Sequence, residues 1–293
     1  MAMEAQWYRN QGHNVDWGNP YGLYDKYIHK PEGLPFLSLP SPDRIWSKAK
    51  DYTSGNYKYL PGTHMQVASG CWHGKCTFCV EKNTYPQQVR SINDVIGEIH
   101  ECCEMGFKEI FDDSPTFPLV EPWFSEFCSY AHSFNLSFGC NMRMIDIDYE
   151  KMKWAGFRML LFGLESANQQ TLDKIQKGTK VEDVKYIIKA AKAGLEPHIA
   201  VMFGYPGETD KDALRTLHLV HYLLKKGYAK TAQASFYSPV GGGGKLKHKK
   251  YIRQIYSVCS SPAFWFNKIK SIKNEADLKY LWKQIKVGLN EIQ

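Results

Sequence analysis

From Met65 onward, short apolar runs alternate with longer segments of helical periodicity, and this rhythm constrains the fold more than any other feature of the chain. Six strand-then-helix units follow one another, with predicted strands at residues 65–68, 108–111, 136–140, 158–162, 198–203 and 231–237. The first helix is predicted over 91–105, where Ile92, Val95, Ile96 and Ile99 recur at helical spacing. Gly156, Gly194 and Gly227 stand where later helices should stop, because a residue without a Cβ readily adopts the left-handed conformation that ends a helix. Right-handed strand–helix–strand crossovers curl a parallel sheet when they follow one another. The expected class is therefore α/β and the expected fold a partial (β/α)6 TIM-like barrel, with its chemistry at the carboxyl ends of the strands.

At 293 residues the chain is near the upper limit of what one core serves, so one barrel with appendages is expected. The barrel is assigned to residues 61–240, a short N-terminal extension to 1–60, and a C-terminal helical segment to 241–293. The extension should contain a helix over 2–11, a strand over 14–17 and a Pro-rich passage over 31–42. Glycines at 241–244 form a joint before two helices, 262–272 and 276–289, that would close the open side of the barrel.

The net charge of +7 is concentrated late, in Lys245, Lys247, Lys249, Lys250, Arg253, Lys268, Lys270 and Lys273. Without interleaved aromatic residues this reads as a solvated basic tail in preference to a nucleic-acid groove. No run approaches the roughly 18 apolar residues of a membrane span, and residues 1–16 lack the order of a signal peptide. A cytoplasmic address without a membrane partner is expected.

Eight cysteines at uneven spacing do not make a disulfide framework in a reducing compartment. Cys71, Cys76 and Cys79 fall together on the loop after the first predicted strand. Three thiolates can grip a cube of four irons and leave one iron open to an external ligand, such as the amine and carboxylate of an amino acid. The alternative is a structural zinc site in a noncatalytic module, with His73 or a distant cysteine as fourth ligand. Zinc modules usually show a second paired motif, and here Cys102 and Cys103 fall in a predicted helix. Cys128, Cys140 and Cys259 are isolated and expected to be small buried hydrophobes.

Polar residues recur where the later strands end. Asp112, Asp113 and Ser114 could accept hydrogen bonds from an ammonium group or cap a helix. Arg143 could clamp a carboxylate through its planar fork or make a surface salt bridge. Glu165, followed by Ser166, would be costly to bury at a strand end unless paired, which points to a site. Gly204, Tyr205, Gly207, Glu208 and Thr209 form a turn that could also cap the next helix.

The cysteine loop, with Phe78 directly before Cys79, resembles the cluster motif of the radical S-adenosylmethionine superfamily, and the ordered strand-end motifs from Cys71 to Tyr237 resemble its core. The loop departs from the family in having four residues, Trp72 to Lys75, between its first two cysteines where three are usual. The resemblance implies a 4Fe-4S cluster on Cys71, Cys76 and Cys79, with S-adenosylmethionine contacted by Phe78, Asp112, Asp113, Ser114, Arg143, Glu165, Ser166, Gly204, Tyr205 and Glu208. It also implies one-electron reduction of the cluster by a flavodoxin or ferredoxin-type donor, reductive cleavage of the cofactor, and a 5′-deoxyadenosyl radical that abstracts hydrogen from a substrate. The substrate is unidentified: a small molecule, peptide or natural-product intermediate is favoured over nucleic acid, and no residue is assigned a catalytic proton or radical role. The core most resembles the cobalamin-associated and methylthiotransferase-like branch. Residues 2–17 resemble a single unit of that branch's Rossmann-like domain, too little for cobalamin to be expected.

Overall fold

The computed structural model describes residues 10–11, 35–45, 47–51, 56–84, 86–237 and 249–292. Strand β1 (Gly62–Met65) is followed by a short antiparallel pair, β2 (Ala68–Ser69) with β3 (Gln88–Val89), and the cysteine loop spans the gap inside that pair. Helix α1 (Ile92–Glu104) then leads to β4 (Glu109–Asp112), α2 (Trp123–Ala131) to β5 (Ser137–Met142), and α3 (Tyr149–Trp154) to β6 (Phe157–Glu165). Two helices, α4 (Gln169–Lys174) and α5 (Val184–Lys192), precede β7 (Glu196–Phe203), and α6 (Asp210–Lys225) precedes β8 (Thr231–Phe236). Strands β1, β4, β5, β6, β7 and β8 lie side by side in chain order, every neighbouring pair parallel, as a curled six-stranded half-barrel with helices on its outer face.

The rhythm produces this shape because alternate strand residues face two different layers. Ile110, Phe138, Cys140, Leu160, Phe162, Ile199 and Val201 join Val95 and Ile99 of α1 and Phe127 of α2 in the main core. Fully burying each such side chain contributes about 1.5–3 kcal/mol. A smaller cluster of Tyr57, Phe111 and Met159 packs separately. Cys102 and Cys103 lie in α1, as expected, and Cys102 is fully buried; of the three cysteines expected to be buried, Cys128 and Cys140 are fully buried in the main core and Cys259 is half-buried. Ser91 caps α1 by accepting from the Asp94 amide at 3.2 Å. Gly156, Gly194 and Gly227 end α3, α5 and α6 at φ of 99°, 85° and 73°.

Two expectations are corrected. The first strand begins at Gly62 and stops at Met65, because the Val67 amide donates to Asp112 Oδ1 at 3.0 Å and Ala68 pairs with Val89. The late basic stretch is a solvated tail only in part: Lys250, Arg253, Lys270 and Lys273 are exposed, and Lys245 and Lys247 lie outside the described residues. The stretch includes α7 (Lys249–Ile255), which buries Tyr251 and Ile255, one helical turn apart, with Tyr251 tilted against Phe203 at 5.8 Å. Beyond it lie α8 (Pro262–Lys270) and α9 (Glu275–Ile292). Lys268 turns inward, donating to Gln284 Oε1 at 2.9 Å, and burial pulls its pKa down to about 8. The expected elements at 2–9, 14–17 and 241–244 lie outside the described residues.

An ion network seals the end of the barrel where the strands begin. Arg158 pairs with Glu109 and, at 2.6 Å, with Glu196; Lys58 bridges Glu196 at 2.9 Å to Asp277 of α9. A cavity of about 20 Å³ beside Lys58, Lys268 and Tyr280 belongs to this floor, at the opposite end of the strands from the cysteine loop, and is the size of one water. Among the described residues no helix is long and apolar enough to cross a membrane.

Candidate functional site

The cysteine loop is held at both ends and in its middle. The Cys71 amide donates to Thr84 Oγ1 at 3.2 Å, Gln87 Nε2 donates to the Gly70 carbonyl at 3.2 Å, and the Asn83 amide donates to the Gly74 carbonyl at 2.9 Å. The turn after α4 holds the loop from outside. Its Ile175 carbonyl accepts from the Thr77 amide at 3.0 Å, its Gln176 carbonyl lies 2.8 Å from His73 Nε2, and Gly178 lies under the His73 ring. A Cβ at Gly178 would fall 2.6 Å from His73 Cε1, and its φ of 66° favours glycine on a second ground.

Three thiols share this frame. Burial pushes the Cys79 thiol above its usual pKa, and the neighbouring Cys76 and Cys71 sulfurs push in the same direction, although the Glu81 amide donates to Cys79 Sγ at 3.4 Å. Burial pulls the His73 pKa down, helped by the cations Arg143, Lys177 and Lys75.

Arg143 comes from the end of β5, Lys177 from the turn after α4 and Lys75 from the cysteine loop itself. Arg143, just past β5, is buried; it donates through Nη2 to the Lys177 carbonyl, stacks over Trp72 at 5.1 Å and brings Nη1 to 4.0 Å from Cys76 Sγ. It pairs with no carboxylate among the described residues, so it is not the surface salt bridge the sequence left open. Lys177 is buried and pairs with Glu165 Oε1 at 2.8 Å, its ammonium 5.9 Å from the Phe78 ring. Glu165, the last residue of β6, has φ 61°, and Gly163 beside it leaves room for the pair: a Cβ there would meet Glu165 Oε1 at 2.6 Å and Lys177 Nζ at 2.7 Å. Phe78 packs edge-on to Tyr205 at 6.2 Å, and Tyr205 meets Tyr237 at 5.2 Å. Gly204 donates its amide to Glu208 Oε2 at 2.6 Å, whereas the helix cap is Thr209, in a capping box with Asp212.

The remaining candidates are tied into the scaffold. Asp112 Oδ1 accepts from the Val67 amide and from Ser114 Oγ at 2.7 Å, while Oδ2 is buried with no partner. Burial raises the Asp112 pKa to about 7. Ser114 Oγ also accepts from the Ala68 amide at 2.8 Å. Asp113 is exposed. Ser166 Oγ lies 3.4 Å from Thr216 Oγ1 and accepts from the Asn168 amide at 3.1 Å, which fixes the start of α4. The structure thus brings Cys76, Phe78, Arg143, Glu165 and Tyr205 together through direct contacts or through Lys177, with Cys71 and Cys79 on the same loop, and ties Asp112, Ser114 and Ser166 to scaffold partners instead. Sequence reasoning gives Trp72 and Gln176 no binding role, offers His73 only as a zinc ligand and leaves Lys177 out of the site; the Lys177-Gly178 dipeptide twelve residues after Glu165 is the available signal.

The donor set fits a multi-iron cluster. Among the described residues no group of three or more His, Cys, Asp or Glu side chains is arranged to hold a single metal ion, and His73 Nε2 is engaged by Gln176. The Cys76 and Cys71 sulfurs act electrostatically on Cys79, and Arg143 beside Cys76 has no carboxylate partner among the described residues, which suits an anionic group that brings its own irons. Buried polar atoms without partners in the same residues, Trp72 Nε1, Arg143 Nε and Tyr205 OH, are available to a bound molecule.

Comparison with known proteins agrees with the geometry. Residues 65–220 match the Radical SAM superfamily. The chain is 24% identical over 229 residues to a tRNA-2-methylthio-N(6)-dimethylallyladenosine synthase of Coxiella burnetii (strain Dugway 5J108-111), covering 68% of this chain and 48% of the relative. It spans about half the length of the curated relatives it matches. Among solved structures, the radical S-adenosylmethionine methyltransferase TsrM from Kitasatospora setae superposes with a TM-score of 0.53 at 18% identity, covering 61% of this chain and 36% of TsrM. Methylornithine synthase (PylB) superposes with a TM-score of 0.53 at 15% identity, covering 78% of this chain and 71% of that enzyme. At these identities the structural likeness shows a shared fold. The family match covers more than half of the chain and includes both the cysteine loop and the strand ends that surround it, so the chain belongs to the radical S-adenosylmethionine superfamily.

Proposed function

We propose that Cys71, Cys76 and Cys79 hold the 4Fe-4S cluster of a radical S-adenosylmethionine enzyme, and that the chain directs the resulting radical to hydrogen abstraction from an unidentified small molecule, peptide or natural-product intermediate. Radical S-adenosylmethionine enzymes use this cluster and S-adenosylmethionine as cofactors and require a reductant and a substrate. The observation that carries the assignment is the meeting of three thiols, Arg143 and the Lys177–Glu165 pair at the carboxyl ends of the strands. When bound, the two cofactors supply one-electron cleavage of a sulfonium carbon–sulfur bond and a 5′-deoxyadenosyl radical.

The chain's own residues orient and enclose. Trp72 and Phe78 cover the two cations of the site, Trp72 against the Arg143 guanidinium and Phe78 near the Lys177 ammonium, and Cys76 is buried beside them. Asp113, the Glu208 carboxylate and the Gly204 to Gly207 turn offer acceptors and backbone groups around the same rim. A flavodoxin or ferredoxin-type donor and a cytoplasmic address complete the reading.

Anaerobic reconstitution with iron and sulfide, followed by reduction in the presence of S-adenosylmethionine, should give brown protein and release 5′-deoxyadenosine. Cys76→Ala should abolish both. Unchanged 5′-deoxyadenosine from that variant would overturn the assignment.

A second reading, a nucleic-acid substrate, is favoured by one observation: curated relatives of this core are named as tRNA-modifying enzymes. It predicts RNA binding that weakens steeply as salt rises. Tight RNA binding with that slope would replace the small-molecule reading; its absence at low salt would remove the alternative.

A further inference from the structure

Arg143 is a buried cation with no carboxylate partner among the described residues. Its side chain is engaged on three sides, by the Lys177 carbonyl at Nη2, the Trp72 ring at 5.1 Å and Cys76 Sγ at 4.0 Å from Nη1. None of these is an anion while Cys76 is a thiol. The neighbouring cation, Lys177, is already matched by Glu165 at 2.8 Å. Burying an unpaired guanidinium is strongly unfavourable, so a position like this is stable when an anion completes it. The anion that chemistry can create here is at the sulfurs: three thiolates with a 4Fe-4S core make a negatively charged group, and reduction adds one more negative charge.

We propose that Arg143 is a cluster-tuning residue: its charge, fixed beside Cys76 Sγ by Trp72 and the Lys177 carbonyl, is the counterion of the cluster and makes the cluster easier to reduce. This inference rests on the cluster assignment above. The physical basis is that a nearby cation stabilises the more negative of two redox states, and that Arg143 and Cys76 are both buried, where water screens their interaction least. Arg143 was expected from sequence to clamp a cofactor carboxylate. One N–H of Nη2 is committed to the Lys177 carbonyl and one of Nη1 is aimed at Cys76 Sγ, so the place of the guanidinium beside the sulfur is fixed while Nε and the remaining N–H groups stay free for a carboxylate.

The test is a redox titration of the reconstituted full chain, followed by the reduced-cluster electron paramagnetic resonance signal, without S-adenosylmethionine. Wild type, Arg143→Lys, Arg143→Gln and Arg143→Met are compared. The neutral variants should carry the cluster but shift the reduction equilibrium at least about tenfold toward the oxidised form, about 59 mV for a one-electron couple. Arg143→Lys should stay nearer to wild type. Loaded neutral variants with an unchanged midpoint would overturn the proposal, including the case in which they only lose affinity for S-adenosylmethionine. If the neutral variants retain no iron but Arg143→Lys does, the need for a positive charge stands. If all three variants lose iron, the role is one of shape and the proposal fails. A wild-type chain that takes up no cluster would instead refute the underlying cysteine assignment.

Discussion

Lys177 Nζ lies 2.8 Å from Glu165 Oε1, and the carboxylate it neutralises belongs to a residue held in the left-handed region at φ 61°. Glu165 is not a residue that adopts this conformation readily, and the strain is of order 1–3 kcal/mol. The ion pair offsets that strain and closes the gap between the end of β6 and the turn that supports the cysteine loop.

Removing one partner should therefore do more harm than removing both. Lys177→Met leaves a buried carboxylate alone and is expected to lower the unfolding free energy of the iron-free protein by about 3–5 kcal/mol in a denaturant titration. Glu165→Gln added to it should restore a large part of the loss. If the double variant were less stable than Lys177→Met, the pair would not be the reason.

Gly178 makes a second, independent link to the thiols. Gly178→Ala would place a methyl 2.6 Å from His73 Cε1 at φ 66°. It should destabilise by about 1–2 kcal/mol through backbone strain alone and, by pushing the loop away, reduce the iron retained after reconstitution. Adding His73→Ala removes the clash, so iron retention should recover while the strain penalty persists. Iron analysis and a melting curve on the three proteins separate the two effects.

The eight cysteines should divide cleanly by burial and neighbourhood. Alanine at Cys71, Cys76 or Cys79 should abolish cluster absorbance. Alanine at Cys128 or Cys140, each fully buried in the main core, should lower stability and leave the absorbance of the folded, reconstituted protein intact. Loss of the visible spectrum in folded Cys140→Ala would contradict the division.

Two buried groups act on acid stability with opposite signs. Burial raises the Asp112 pKa to about 7, so its neutral form is the native one, and the stability it contributes is lost as pH climbs from about 4 to about 7. Burial lowers the His198 pKa to about 4, with Nδ1 2.6 Å from Thr231 Oγ1, so that histidine removes stability as pH falls from about 6.5 to about 4. In wild type the two slopes oppose each other. Asp112→Asn should expose a rise in stability with pH across this window, and His198→Gln a fall. Denaturant midpoints at pH 4.5, 5.5 and 6.5 would check both directions, and parallel slopes in the two variants would refute the assignment.

The barrel was legible because its signals are local: apolar strand runs, helical spacing such as Ile92, Val95 and Ile99, and glycine stops at Gly156, Gly194 and Gly227. The cysteine loop was legible for the same reason, as three thiols in one short segment. What stayed hidden depends on partners distant in sequence. Asp112 and Ser114 look like free strand-end acceptors until Val67 and Ala68, more than forty residues earlier, take their oxygens. Ser166 looks like a ligand until Thr216 packs against it. The helix Lys249–Ile255 was masked by its own charge, since only Tyr251 and Ile255 mark its buried side. Likewise, the role of Lys177 is visible only once β6 and the turn after α4 stand next to each other.

The contact between His73 and Gln176 spans 103 positions of sequence, and with Thr77–Ile175 it is how the second half of the site grips the first. This sets an order of events during synthesis. When Cys79 leaves the ribosome, the turn that will support its loop does not yet exist, and the frame is complete only after Gly178 has emerged and α4 has docked. Iron delivered earlier would meet three cysteines on an unsupported segment. On the proposed cluster assignment the complete seat exists only in the folded chain, so cluster insertion is expected to follow folding of the apo protein.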